Sequence, residues 1–258
     1  MRSLILGARA AKLVGIDLSR FVRTLRGVPR FSRDLIRFRE ESSAGSDAFP
    51  LKYRDLLPML TDFDEEAGVG GGQYFFQDLW AARRVFAARP ARHVDVGSRI
   101  DGFVTHLLTF MQVEVVDIRP LTSTVDGLTF IQADATSLSG IESGSVPSLS
   151  SLHAVEHFGL GRYGDPISPE GWRQGMGALA RVLAPQGRLY FSVPVGRERL
   201  RFNAQRVFDP RRVVDTFGEL EFVGMGGIDD AGRFLAECSL DDLRNAHNAC
   251  GLFEFRKP

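Results

Sequence analysis

Cysteine is nearly absent from this 258-residue chain: only Cys238 and Cys250 occur, and no C-x-x-C pair is present. Two thiols make neither a disulfide framework nor a zinc or redox motif, so a reducing cytoplasm is the expected setting. Lysine is as scarce (Lys12, Lys52 and Lys257), leaving arginine to carry the positive charge. Basic and acidic side chains cancel at 32 each, so no global field draws the chain to nucleic acid, although a local patch still can. No apolar run approaches the ~18 residues of a membrane span. Arg9 and Lys12 interrupt the apolar N-terminal stretch, which argues against a signal peptide. A G-x-G-x-x-G fingerprint, internal repeats and low-complexity tracts are also missing.

What is present is an ordinary globular composition, 44% hydrophobic and 25% charged, long enough for one large α/β domain with an appendage. Residues 1–41 form a basic segment with ten cationic and four acidic side chains. Val14, Leu18, Phe21, Val22 and Leu25 recur at helical spacing; Pro29 is expected to end that helix, and "RFSRDLIRFRE" reads as a second short one. The plainer reading is a helix pair packed on the main domain. The sharper one is an amphipathic arm against an anionic membrane or a partner, which would set the protein at the inner face of the membrane. Residues 42–72 read as a linker ("SSAGSDA") followed by an acidic stretch and a glycine cluster, Gly68 and Gly70 to Gly72, a flexible loop or lid.

From residue 73 onward the pattern is regular. "QYFFQDLWAARRVFAARP" reads as a helix stopping at Pro90, followed by strands at "ARHVDVG", "VEVVDI", "LTFIQAD", "SLSSLHA" and "GRLYFSVPV" with helices between them. Such alternation means a mostly parallel sheet covered on both faces. Two late strands, "ELEFVGMGGI" and "GLFEFRK", point to an antiparallel finish.

Ligands of doubly wound sheets bind at the carboxyl ends of the strands. Strand one ends in Asp95 and Gly97: the carboxylate can accept from an ammonium group, and the glycine permits close backbone approach. Asp117, twenty residues past Gly97, can take both hydroxyls of a ribose or simply cap a helix. Asp134 can accept from an adenine amino group, with Ala135 leaving room for the ring. Gln73, Tyr74, Gln77 and Trp80 read as a core-packing helix or as a cover for the same site.

Strand four runs into His153-Ala-Val-Glu156-His157, an H-x-x-E-H string that in zinc proteases holds metal from one helix face. Here a strand pattern leads straight into His153, so the string is expected to form a turn, without metal. Beyond it, "GLGRYGDP" offers Arg162, Tyr163 and Asp165. "PVGRERLRFNAQR" offers Arg197, Arg199, Arg201, Asn203, Gln205 and Arg206. Either stretch reads as a solvated charged loop, or as a wall for a phosphorylated or acidic sugar, because arginine forks suit phosphate and carboxylate. Aromatic residues are too sparsely interleaved there for a nucleic-acid groove.

Together "HVDVGSRIDGF", "VEVVDIRP", "FIQADATSL", "SSLHAVEHFGLGRYGDP" and "LARVLAPQGRLYFSVPVGRERLRFNAQRVFDP" resemble the class I S-adenosylmethionine-dependent methyltransferases. More narrowly, residues 73–258 resemble a bacterial domain of unknown function, number 268, regarded as methyltransferase-like and often glycan-associated. The resemblance implies a Rossmann-like, seven-stranded sheet with the sixth and seventh strands reversed. It implies S-adenosylmethionine contacts at Asp95, Gly97, Ser98, Asp117, Ile118, Asp134, Ala135 and His153. The glycine-rich turn is reduced, with Arg99 inserted, which leaves a cofactor-free scaffold of a glycan pathway as the alternative. Under the enzyme reading His153 is the base for methyl transfer to an oxygen, supported by Glu156 and His157; the plainer alternative is that the two histidines only orient the loop. Arg162, Tyr163, Asp165, Arg197, Arg199 and Asn203 then face a small-molecule or glycan acceptor. "EHFGLGRY" also resembles the turn of cyclopropane fatty-acid synthases, so lipid C-methylation is a minor alternative.

Overall fold

Pro29 does not end the N-terminal helix. In the computed structural model, which describes residues 18–42, 51–64 and 70–258, one helix (α1, Leu18–Ser42) runs through it. The expected break into two helices is thereby corrected. An interior proline typically costs ~3 kcal/mol, but the following chain packs along the helix where the proline disturbs it. Gly27 is buried, and a Cβ there would lie 1.9 Å from the carbonyl oxygen of Leu60. Arg30 covers the Phe63 ring at 4.4 Å and lies 3.5 Å from Asp34, one turn further on. Val14, Gly68 and all but the first residue of the expected linker 42–48 lie outside the described residues. The chain divides between Val69 and Gly70 into two compact units. No helix among the described residues is long and apolar enough to cross a membrane.

The larger unit begins with α2 (Gln73–Ala88), which ends with Arg89 in the left-handed conformation just before Pro90. Its buried positions Gln77, Trp80, Ala81 and Val85 follow helical spacing and form one inward stripe. Then come β1 (Val94–Val96), a five-residue π-turn (Ile100–Val104) continuing into the short α3 (Thr105–Leu108), β2 (Val113–Asp117), β3 (Leu128–Gln132) and β4 (Val146–Leu152). Helix α4 (Gly171–Val182) runs directly into β5 (Leu183–Val195). Where a charged loop or wall was expected, residues 199–207 form a two-stranded hairpin, β6 (Arg199–Arg201) and β7 (Gln205–Val207). The remainder is α5 (Pro210–Thr216), β8 (Glu221–Ile228), β9 (Phe234–Leu235), α6 (Leu240–Arg244) and β10 (Ala249–Arg256).

The main sheet has the order β3-β2-β1-β4-β5-β10-β8-β9. Strands β1 to β5 are parallel, and β10 inserts between β5 and β8 antiparallel to both. The expected late reversal is present, and the two-residue β9 adds an eighth strand at the edge. Alternating side chains of β5 serve opposite faces. Phe191 packs with Met176, Leu179, Phe217 and Phe253 on the α4–α5 side, while Tyr190 packs with Trp80, Val85, Phe103 and Leu107 on the α2–α3 side. Each such side chain contributes about 1.5–3 kcal/mol when fully buried, so both layers hold the sheet whose strand ends carry the site.

Candidate active site

The carboxyl ends of β1 to β4, the turn after β4 and the β6–β7 hairpin enclose a cavity of about 390 Å³, a size suited to a small organic ligand. Twelve expected residues line it together: Tyr74, Gly97, Asp117, Ile118, Asp134, Ala135, His153, His157, Arg162, Tyr163, Asp165 and Gln205. Asp95, Ser98, Glu156, Arg197, Arg199 and Asn203 do not line it.

Gly97 follows β1 with φ +75°, and a Cβ there would lie 2.9 Å from Ala154 Cβ, so the turn demands glycine twice over. Asp95 lies beneath this turn, fully buried, and not at the ligand face where its reading as an ammonium acceptor placed it. It accepts from Ser98 N at 3.1 Å, Ser98 Oγ at 2.6 Å and Ser150 Oγ at 2.5 Å. Burial pushes its carboxyl up to about 6, against those hydrogen bonds. Ser98 is likewise internal and accepts from Leu152 N at 3.0 Å, so Asp95 and Ser98 bind β1 to β4.

Asp117 reaches the cavity, but its carboxylate is already engaged. Arg119 donates to it from Nε at 3.0 Å and Nη2 at 2.6 Å, and the backbone amide of Arg119 adds a third bond at 2.8 Å. The same guanidinium covers the Tyr163 ring at 4.6 Å, and Arg162 lies 5.0 Å from that ring. Asp134 accepts from Thr136 N and Oγ through Oδ1, fixing its own turn.

His153 ends β4 at φ +50°. Its Nδ1 meets Gln77 Oε1 at 2.5 Å, and Gln77 Nε2 donates to Asp78 Oδ1 at 3.0 Å. Asp78 thereby sets which way the Gln77 amide faces, and the amide oxygen holds the proton on His153 Nδ1. Nε2 is left as the lone-pair nitrogen. Burial pushes the imidazole down to about 3, so it stays neutral through the working range. The Tyr74 ring lies 5.3 Å away and shares the cavity wall.

Glu156 and His157 form a turn of 3-10 helix, so the two histidines of the string do not share one helix face. His157 Nδ1 donates to the carbonyl oxygen of Ala204 at 2.7 Å, an oxygen that also accepts from Arg162 Nη1 at 2.8 Å. Glu156 is completely buried, with no hydrogen-bond partner for either carboxyl oxygen. Burial raises it to about 8, and His157 Nε2 lies 3.6 Å from its Oε1, beyond hydrogen-bonding reach. It is therefore a neutral acid at pH 7. Asp165 Oδ2 accepts from Gly159 N at 2.7 Å and Gly161 N at 3.3 Å, so it shapes the loop as well as lining the cavity. No group of three His, Cys, Asp or Glu among the described residues is placed to hold a metal.

Arg119, Thr136, Ala154 and Phe158 also line the cavity and were not singled out in the sequence. "DIR" and "DAT" carried a local signal for the first two, each two residues beyond a strand-end carboxylate. Nothing local marks Gln77 as the partner of His153, because 76 residues separate them.

The family model described as a Caenorhabditis protein of unknown function, DUF268, matches residues 143–234. Its description is not bacterial, and the match is shorter than the 73–258 resemblance expected. No curated protein matches the chain. Among solved structures, the Burkholderia thailandensis 1,6-didemethyltoxoflavin-N1-methyltransferase is similar with a TM-score of 0.51 at 16% identity, over 70% of this chain and 78% of that one. The N-methyltransferase NodS from Bradyrhizobium japonicum gives 0.50 at 16% identity, over 85% and 96%. The [4+2]-cyclase SpnF gives 0.51 at 12%, over 74% and 85%, so one fold serves different reactions. At such identities the likeness speaks for the fold alone, and that fold is the Rossmann-like fold of the methyltransferases.

Proposed function

We propose that this chain is an S-adenosylmethionine-dependent methyltransferase acting on a hydroxyl oxygen of a sugar in a glycan precursor, with His153 as proton acceptor. One observation carries the reading: Gly97, Asp117, Asp134 and His153, with its lone pair on Nε2, border a single cavity. Two of the similar structures hold S-adenosylhomocysteine, which supports the cofactor assignment.

The residues present fit that cofactor. Asp117 suits the ribose hydroxyls, Asp134 and Ala135 the adenine, and the cradle at Gly97 leaves no space for a Cβ. When bound, S-adenosylmethionine supplies an electrophilic methyl group. The chain's part is alignment and proton acceptance. A hydroxyl oxygen becomes strongly acidic as it is alkylated, so a base held as low as His153 suffices to take its proton at Nε2. Arg162 forms no ion pair among the described residues and offers a fork to a phosphate or carboxylate on the acceptor. Neutral His157 ties the loop to the hairpin through the Ala204 carbonyl, whereas the Glu156 carboxyl, with neither oxygen bonded, gives no such support.

The fork of Arg119 on Asp117 favours a second reading, a scaffold that binds no cofactor. Calorimetric titration with S-adenosylmethionine and S-adenosylhomocysteine separates the two. Saturable heat at one site per chain is expected; its absence from both the parent and Arg119→Ala sinks the enzyme.

A further inference from the structure

Arginines of the 70–258 unit are mostly neutralised: Arg99, Arg119, Arg188, Arg212, Arg233 and Arg256, among others, each meet a carboxylate. Arg83, Arg89, Arg162, Arg181 and Arg206 form no ion pair among the described residues, and neither do three that stand together at the hairpin, Arg197, Arg199 and Arg201. Arg199 donates to the backbone oxygens of Arg197, at 2.6 Å, and His247. Arg201 meets Asn248 Oδ1 at 3.2 Å and His247 Nε2 at 3.1 Å. Glu198 is drawn away to Arg212 at 2.5 Å, and Asp230 is engaged by the backbone amides of His247 and Asn248. Burial and then the neighbouring Arg201 lower the pKa of Arg199, and Asp230 offsets this in part without forming an ion pair with it.

Apolar side chains stand in the same stretch, Arg-Leu-Arg-Phe. Leu200 is 55% exposed and Phe202, at the turn, 72%. Strand alternation puts Leu200 on the face opposite Arg199 and Arg201, with Phe202 beyond them at the tip.

We propose that the β6–β7 hairpin docks tip-first on an anionic lipid bilayer, Phe202 entering the headgroup–acyl boundary. Leu200 on one face of the hairpin reaches the interface, and Arg199 and Arg201 on the other, with Arg197, meet the phosphates. Charge complementarity selects an anionic surface. The apolar tip selects lipid over a soluble polyanion, which would leave both side chains in water. The hairpin also borders the cavity through Gln205, and its Ala204 carbonyl holds His157 and Arg162. Docking there sets the cavity mouth beside the headgroups, and this holds whatever reaction the cavity performs.

Flotation of the full chain with phosphatidylcholine vesicles, alone or with roughly 30% phosphatidylglycerol, tests the assignment. Binding to the anionic vesicles only is expected. R199Q/R201Q should weaken it about 25-fold, at about fivefold per arginine near such a surface. L200S/F202S should weaken it about tenfold or more. Basic residues of the 1–41 segment are common to parent and variants, so the ratios report the hairpin alone. Far-UV circular dichroism shows that each variant is folded. Phe202→Trp gives a second readout, because Trp80 and Trp172 are only 3% and 7% exposed: its emission should shift to the blue with anionic vesicles. A parent that binds neither vesicle, or both multiple variants binding as the parent does, overturns the proposal. So does an F202W shift produced by soluble polyphosphate and not by vesicles, which reassigns the hairpin to a soluble polyanion.

Discussion

Gln77 Oε1 lies 2.5 Å from His153 Nδ1 and 2.6 Å from Ser192 Oγ, and this amide oxygen decides which nitrogen of His153 carries the proton. Gln77→Glu puts a carboxylate in the same place, which favours the imidazolium and raises His153 from about 3. Gln77→Leu removes the acceptor and should lower turnover on the order of 10–100-fold. Nitrogen-15 shifts of the histidine ring check both variants: an unchanged tautomer in Q77L would refute the amide's role.

His153 is the group on which proton acceptance rests. His153→Ala should lower kcat by about 10²–10⁴-fold with S-adenosylhomocysteine affinity changed less than about tenfold. Since His153 is neutral above about 3, the parent's kcat should show no acid limb near pH 6.5. A limb there that vanishes in the alanine variant would mean that His153 titrates normally and that its burial has been misjudged.

Arg119 and a ribose diol compete for the same carboxylate. Asp117→Ala should weaken S-adenosylhomocysteine by about 1.5–3 kcal/mol, the worth of a hydrogen bond to a charged group. Arg119→Ala should tighten it by freeing Asp117. Weaker binding in R119A, measured by calorimetry, would make Arg119 part of the cofactor site in place of a competitor.

Glu156 couples stability to pH. Its folded pKa of about 8 lies above the ordinary 4.5, so the folded protein keeps a proton that the unfolded chain has lost. Its contribution is complete below about 4.5 and declines as pH rises to about 8. Glu156→Gln should remove that decline, gaining on the order of 3–5 kcal/mol at pH 8 and above. The acid side has the opposite sign. His93 and His153, both held near 3, and His157, near 4, stay neutral while the unfolded chain protonates below 6.5, so stability falls as pH falls. Urea midpoints across pH 4–9 check both arms, and an E156Q midpoint that still falls above pH 6 excludes Glu156 as the cause.

The order of strands and helices from residue 73 was legible because it is written in local terms: buried runs of strand length, glycine or proline at their ends, and apolar stripes at helical spacing. So were the strand-end residues Gly97, Asp117 and Asp134, since a parallel sheet brings those ends to one edge whatever the loops do. The charged run after β5 had no such signature, and whether Arg197, Arg199 and Asn203 face the cavity depends on a hairpin turning them away from it.

The sequence by itself determined the sheet, its antiparallel finish and the edge at which the site lies, because burial period and turn chemistry act over neighbouring residues. Tertiary structure decided the rest. Helix α1 runs on through Pro29, with residues 60 and 63 packed beside it. Burial under the first turn makes Asp95 a brace, and enclosure beside the cavity makes Glu156 a neutral acid. A contact across 76 residues sets the tautomer of His153. Desolvation and long-range hydrogen bonds belong to the assembled fold, so whether a carboxylate or an imidazole is a ligand group, a brace or a base is settled only when its surroundings have closed around it.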